Sequence, residues 1–250
     1  WHPRGGSSAS EWVDDAAWLD VRLIQSGHLR RSSRNWSMVR ADAAREPVRP
    51  VLDGEPCYEN HPVYFEASNG WFGEHDVRCA AWWAVLSGAC GHTYGCHDVW
   101  MMAEGQRRPV DSARGDWTSS LHLPGATQMR HVRTLAEMRL LPGQVNDDAL
   151  AVCETQDADH IAVARDGHSG RDDARCVVAY TPIRRPDFAI ETRCLRGPRR
   201  RWWWWDPREG VALPGGEGPN EGVLRPNFPE GGPDWVLVVD DADVFTSPVV

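Results

Sequence analysis

The chain holds 250 residues, 27 of them basic and 36 acidic, for a formal net charge of −9, with 41% hydrophobic and 25% charged residues. That length can bury a substantial core in one large domain or two modest ones, and the balance is that of an ordinary globular protein. No apolar run approaches the ~18 residues of a membrane span, and an acidic chain without a basic block lacks the clustered positive charge that a nucleic-acid backbone demands.

Lysine is absent, so every basic side chain besides histidine is arginine. Schiff-base chemistry and the phosphate-loop lysine are excluded together. Fourteen tryptophans stand against five Phe and four Tyr. Broad indole faces stack on sugar rings and also fill cores, so carbohydrate chemistry is one reading and packing the other. Seven cysteines, an odd number without a knot-like spacing, leave at least one thiol outside any intrachain pairing.

The first ~145 residues alternate strand and helix, the grammar of a parallel sheet or barrel. Ser8-Ala9-Ser10-Glu11 has capping-box spacing and predicts a helix reaching Trp18. Val21-Arg22-Leu23-Ile24 reads as a strand that ends in the polar Gln25-Ser26-Gly27-His28. A second helix is predicted over residues 33–44, with Trp36, Val39 and Ala43 on one face. Val51-Leu52 is a short strand leading into Asp53-Gly54-Glu55-Pro56-Cys57-Tyr58-Glu59. The clearest helix follows, capped by Asp76, buried along Ala80, Trp83, Ala84 and Leu86, and closed by Gly88. Ala89-Cys90-Gly91 then enters His92-Thr93-Tyr94-Gly95, and a last helix over residues 127–140 turns Met129, Val132, Leu135 and Met138 inward.

Near Leu141-Pro142-Gly143 helical periodicity stops. Short β-rich runs follow at 161–164, 176–180, 188–190, 201–205 and 235–239, with a Gly/Pro-rich stretch from Pro214 to Pro233 read as turns and loops. The expectation is a small antiparallel β-sandwich over residues 146–250, with the domain boundary near residue 145.

In a parallel α/β unit, chemistry gathers at the C-terminal ends of the strands. The first strand end offers Gln25 and His28, the second Asp53, Glu55, Tyr58 and Glu59, and the third His92, Tyr94, His97 and Asp98 with Trp100 behind. His2-Pro3-Arg4-Gly5-Gly6 reads as a fourth such end. This mixture of amide, carboxylate, imidazole and phenol suits a polyhydroxyl ligand. Glu55, directly after an apolar strand and a glycine, can project into a barrel mouth and attack an anomeric carbon or stabilise an oxocarbenium ion. The competing reading is a loop glutamate that pairs with arginine or caps a turn. Glu59 is its rival four residues on, and Asp53 is expected on the opposite side of the strand. Cys90, His92, Cys96 and His97 have the chemistry of zinc ligands but the spacing of no finger or ribbon, so no metal site is expected. Trp202 to Trp205 is either a sugar-stacking platform or a strand covered on both faces, and the second is favoured. Asp157-Ala158-Asp159 and Asp240-Asp241-Ala242-Asp243 lack the EF-hand pattern and read as solvated turns.

The strings His2-Pro3-Arg4-Gly5-Gly6-Ser7-Ser8, Trp18-Leu19-Asp20 through Gln25-Ser26-Gly27-His28, Asp53 through Glu59, and Gly88-Ala89-Cys90-Gly91-His92-Thr93-Tyr94-Gly95 resemble apiosidase-like glycoside hydrolases. Tyr180-Thr181-Pro182, Trp205-Asp206-Pro207-Arg208-Glu209-Gly210 and Pro233-Asp234-Trp235-Val236-Leu237 are similar to the module, labelled collagen-binding, that follows that barrel. The resemblance spans nearly the whole chain. It implies a TIM barrel acting on plant cell-wall glycans, apiose side chains of pectin among them, with a nucleophile after strand seven and an acid/base after strand four. Counting back from Gly91 to Gly95 as strand eight, Glu55 falls at the nucleophile position, with Glu59 in the same motif. Gln25, His28, Tyr58, His92, Tyr94, His97 and Trp100 then line the sugar site.

A full barrel needs roughly 250 residues by itself. Here the chain reads as the C-terminal half of a (β/α)8 TIM barrel followed by a small antiparallel β-sandwich, a fragment expected to be inactive alone. The implied partner is an oligo- or polysaccharide, with no nucleic acid, membrane or cofactor, and the family's substrates favour a secreted or periplasmic location. A carbohydrate- or matrix-binding protein without catalysis is the second reading, and a truncated gene product without function the third.

Overall fold

In the computed structural model the described residues are 1–107, 112–140 and 143–248. Leu141 and Pro142, where the sequence changes grammar, lie outside them. The chain falls into two compact units, Trp1–Arg130 and His131–Val250. Among the described residues, no helix is long and apolar enough to cross a membrane.

The first unit is built on a four-stranded sheet of β1 (Ser7–Ser8), β2 (Arg22–Gln25), β3 (Val51–Asp53) and β4 (Gly91–His92), in that spatial order. β1 runs antiparallel to β2, whereas β2, β3 and β4 are parallel. The short helix α1 (Ser10–Val13) follows β1, while α2 (Asn35–Ala43) and α3 (Glu74–Leu86) make the two parallel crossovers. Ile24 and Val51 from the strands, Val39 from α2, Ala84 from α3 and Ala89 form one buried cluster. α3 is apolar almost all round, with Trp82 and Trp83 both buried, as an interior helix should be. Its start is fixed by the Gly73 N–H donating to the Asp76 carboxylate at 2.8 Å, and its end by Gly88 at φ +102°, a conformation other residues rarely adopt.

Two helices depart from expectation. α1 stops after four residues and never reaches Trp18. The Ser8 N–H does donate to Glu11 at 2.9 Å, as a capping box requires, but the Ser8 hydroxyl is taken by Asp42 of α2, and Asp14 leaves the helix to receive Arg22 at 2.7 Å. The inward face of α2 is Asn35, Val39 and Asp42, leaving Ala43 exposed and Trp36 only half-buried. Polar side chains take the buried places because each has partners: Asn35 donates to Asp53 at 3.0 Å and to the Ala80 carbonyl at 2.7 Å, and Asp42 accepts the Ser10 hydroxyl at 2.6 Å.

Three further α-helices follow among the described residues: α4 (His97–Trp100), α5 (Trp117–Ser120) and α6 (Pro124–Arg139). Val132 and Leu135 of α6 are buried as predicted, but Met138 is exposed and Arg139 is buried in its place.

The second unit contains β5 (Val145–Asn146), β6 (Ala162–Arg165), β7 (Cys176–Thr181), β8 (Ile190–Glu191), β9 (Arg199–Asp206), β10 (Val211–Pro219), β11 (Val223–Leu224) and β12 (Trp235–Asp241). Six of them form one antiparallel sheet, in the order β10-β9-β12-β7-β6-β5, while β8 and β11 pair separately. β7 and β12 are central and buried at every position, which explains their near-continuous apolar runs. Asp240, at the end of that run, is pushed up to about 6 by burial and receives Arg139 at 3.0 Å and the Trp203 indole at 3.2 Å.

β10 occupies part of the stretch expected to be loop. It pairs with β9 through a register shift between Pro214 and Gly216, where a β-carbon on Gly215 or Gly216 would overlap the Trp202 ring. Of the four consecutive tryptophans, Trp204 and Trp205 are buried and Trp202 and Trp203 half-buried.

Candidate active site

β2, β3 and β4 end at Gln25, Asp53 and His92, and the loops beyond them are stitched together. The Gly27 N–H donates to the Glu55 carbonyl, the Glu59 N–H to the Gly95 carbonyl and the His97 N–H to the Glu59 carbonyl, each at 2.9 Å. The parallel pairing thus continues past the strands and fixes where the loop side chains point. Tyr58 packs so closely on Gly95 that a β-carbon there would overlap its ring.

Between these loops lies a cavity of about 120 Å³ lined by His28, Glu55, Tyr58, His61, Phe65 and Trp100. Among the described residues, Glu55 is the one carboxyl group in that lining. Gln25 donates to its Oε1 at 2.6 Å, His28 Nε2 lies 3.3 Å from Oε1, and His2 Nε2 lies 3.2 Å from Oε2. The hydrogen bond from His28 holds the Glu55 carboxyl below its ordinary range against the opposing pull of burial, and the nearby His28 and His2 act in the same direction. Glu55 is therefore ionised, with Gln25 and His28 donating to its Oε1 and His2 beside its Oε2.

Behind it the rings are close-packed. His28 meets Tyr58 edge-on at 4.7 Å and stacks on His61 at 4.1 Å, and His61 meets His97 edge-on at 4.5 Å. Burial and the neighbouring His28 push His61 down to about 3, so it is neutral, with Nδ1 donating to the Pro62 carbonyl at 2.7 Å. The Tyr58 phenol is raised by burial and by Glu55. Trp100 stacks on His97 at 5.9 Å and stands 63% exposed at the cavity's rim.

Glu59 faces elsewhere. It is buried, accepts the Tyr94 hydroxyl at 2.7 Å and the Gly125 N–H in the first turn of α6, and is raised by burial. A β-carbon on Gly125 would overlap its carboxylate. Asp53 is buried against α2, accepting the Ser26 hydroxyl at 2.9 Å and the Asn35 amide at 3.0 Å, with burial pushing it up to about 6.

The candidate residues thus divide into three sets. Gln25, His28, Glu55, Tyr58 and Trp100 come together, and His97 sits one ring behind them. Tyr94 is committed to Glu59. His92 is outside the lining; its ring nitrogens are buried without a hydrogen-bond partner among the described residues, and burial pushes it down to about 3. His61 and Phe65 were missed. Their only sequence signal was an aromatic pair, Tyr64-Phe65, closely following His61-Pro62. Among the described residues, no group of three or more His, Cys, Asp or Glu side chains is placed to hold a metal ion.

The model of the apiosidase-like catalytic domain matches residues 1–141, and that of a putative collagen-binding domain of a collagenase matches residues 146–240. Among solved structures, one described as a glycoside hydrolase shares 26% identity at a TM-score of 0.86, covering 100% of this chain and 58% of its own. A glycoside hydrolase family 5 protein from Bacteroides vulgatus shares 25% identity at a TM-score of 0.87, covering 100% of this chain and 57% of its own. The chain therefore spans less than two thirds of the length of either neighbour. No curated protein matches it.

Proposed function

Because the chain belongs to the apiosidase-like catalytic-domain family, we propose that it carries the nucleophile-bearing half of a retaining glycosidase acting on plant cell-wall glycans, pectic side chains among them. The observation that carries this reading is Glu55: among the described residues the one carboxylate lining the cavity, kept ionised by His28 and oriented by Gln25. An ionised carboxylate pinned by donors is what attack on an anomeric carbon requires. In that step a Glu55 oxygen forms the bond to the anomeric carbon as the glycosidic bond breaks, and a second carboxyl group protonates the leaving oxygen. Tyr58 and Trp100 supply faces and edges for the sugar.

In this reading β2, β3 and β4, with α2 and α3, are the last three strands and two crossovers of a (β/α)8 barrel, within a barrel half at residues 1–145. The antiparallel sheet of the second unit, with the β8–β11 pair, is the sandwich at 146–250. Retaining enzymes place their two carboxyl groups about 5–5.5 Å apart. Among the described residues the cavity lining offers one carboxyl group, so in this reading the 250-residue chain binds glycan without turning it over. Product released from a pectic oligosaccharide or an aryl glycoside by the purified chain contradicts this.

A second reading, a carbohydrate-binding protein without catalysis, draws on that same single carboxyl group. The two separate on Glu55→Gln in a longer parent enzyme that has both carboxyl groups. Loss of turnover with binding retained supports the nucleophile, whereas normal activity moves the role to Glu59.

A further inference from the structure

The segment that closes the cavity beside Glu55 holds unusual backbone. Tyr64 and Phe65 are consecutive and both left-handed, at φ +57° and +61°, and Asn60 four residues earlier is left-handed at +62°. Asparagine tolerates this region; two adjacent aromatic residues there are strained. The strain is held by hydrogen bonds on every side. The Tyr64 N–H donates to the His28 carbonyl and the Val63 N–H to the Gly70 carbonyl, each at 2.9 Å, while the Phe65 N–H donates to the Pro62 carbonyl at 3.1 Å. Strain that the surroundings over-determine is characteristic of ligand sites.

What this conformation achieves is the placement of one ring. Phe65 lines the Glu55 cavity, edge-on to His61 at 4.8 Å and to His28 at 5.9 Å, yet remains 48% exposed. A phenylalanine that served only packing has no reason to be held half in solvent by a strained backbone. We infer that Phe65 is a specificity-determining wall of the site, its exposed face taking the apolar C–H face of the sugar unit bound at Glu55. This rests on the glycan reading of the cavity given above.

The test uses the full 250-residue chain, Phe65→Gly and Phe65→Ala, with thermal melting and titration of pectic oligosaccharides. Glycine removes the ring and relieves the strain, whereas alanine removes the ring and keeps a β-carbon in the left-handed region. The expected result is at least a tenfold loss of affinity in both variants, with Phe65→Gly melting within about 2 °C of the unaltered chain and Phe65→Ala below Phe65→Gly. Affinity unchanged in Phe65→Gly overturns the inference alone. A large drop in melting temperature in both variants also overturns it, because the ring is then a structural plug. No binding by the unaltered chain overturns the glycan reading, and this inference with it.

Discussion

Two glutamates four residues apart in one motif meet opposite surroundings, and their variants separate accordingly. Glu59 is buried between the Tyr94 hydroxyl and the start of α6, so Glu59→Gln sets an amide N–H2 against those donors and lowers stability by about 1–3 kcal/mol. Glu55 opens on the cavity, and Glu55→Gln changes stability by less than about 1 kcal/mol. Thermal melts of the two variants at pH 7 check the order, and a greater loss in Glu55→Gln contradicts it. His61 sets a pH dependence. Its value is about 3 in the fold against 6.5 unperturbed, so on acidification the unfolded chain takes the proton first. The stability this neutral ring contributes is complete above 6.5 and is lost progressively as pH falls toward 3. Denaturant titrations at pH 7 and pH 5 should therefore show a smaller loss for His61→Phe than for the unaltered chain; equal losses remove His61 from the account. In the motif from Asp53 to Glu59 the sequence expectation placed Glu55 in the mouth with Glu59 as its rival, and in the structure Glu55 lines the cavity while Glu59 is buried elsewhere. Tyr94 and Gly125, distant in sequence, decide it.

At the scale of elements, reading succeeded where burial is apolar and failed where it is polar or glycine-lined. α3 announced itself through Ala80, Trp83, Ala84 and Leu86. α2 hid its inward face because Asn35 and Asp42 are buried by virtue of hydrogen-bond partners that no periodicity displays. Asp42→Ala leaves the Ser8 and Ser10 hydroxyls without their acceptor and costs about 2–3 kcal/mol, more than Asp42→Asn, by equilibrium unfolding. β10 was concealed by Pro214, Gly215 and Gly216, which punctuate loops in most sequences. Here the glycines leave room for the Trp202 indole against the strand. Gly215→Ala is expected to cost about 1–3 kcal/mol in the unaltered chain and little in a Trp202→Ala background. Equal costs in both backgrounds remove Trp202 as the reason for the glycine.

At the scale of the whole molecule, the change from helical to β grammar made two kinds of architecture legible, and the structure describes two compact units, one with parallel strands and crossover helices and one with an antiparallel sheet. The pairing of β8 with β11 apart from the larger sheet was not legible, because strands of two residues carry no pattern. The central claim is the proposal that Glu55 is a glycosidase nucleophile; among the described residues its cavity lining offers no second carboxyl group. An activated 2-deoxy-2-fluoroglycosyl fluoride tests it most directly, since fluoride departs without general-acid help: a Glu55 oxygen bonds to the anomeric carbon as the C–F bond breaks. After incubation of the full chain, intact mass and peptide mapping should find one glycosyl group, on Glu55, and none in Glu55→Gln. A glycosyl group on Glu59, or an unlabelled chain, contradicts the claim.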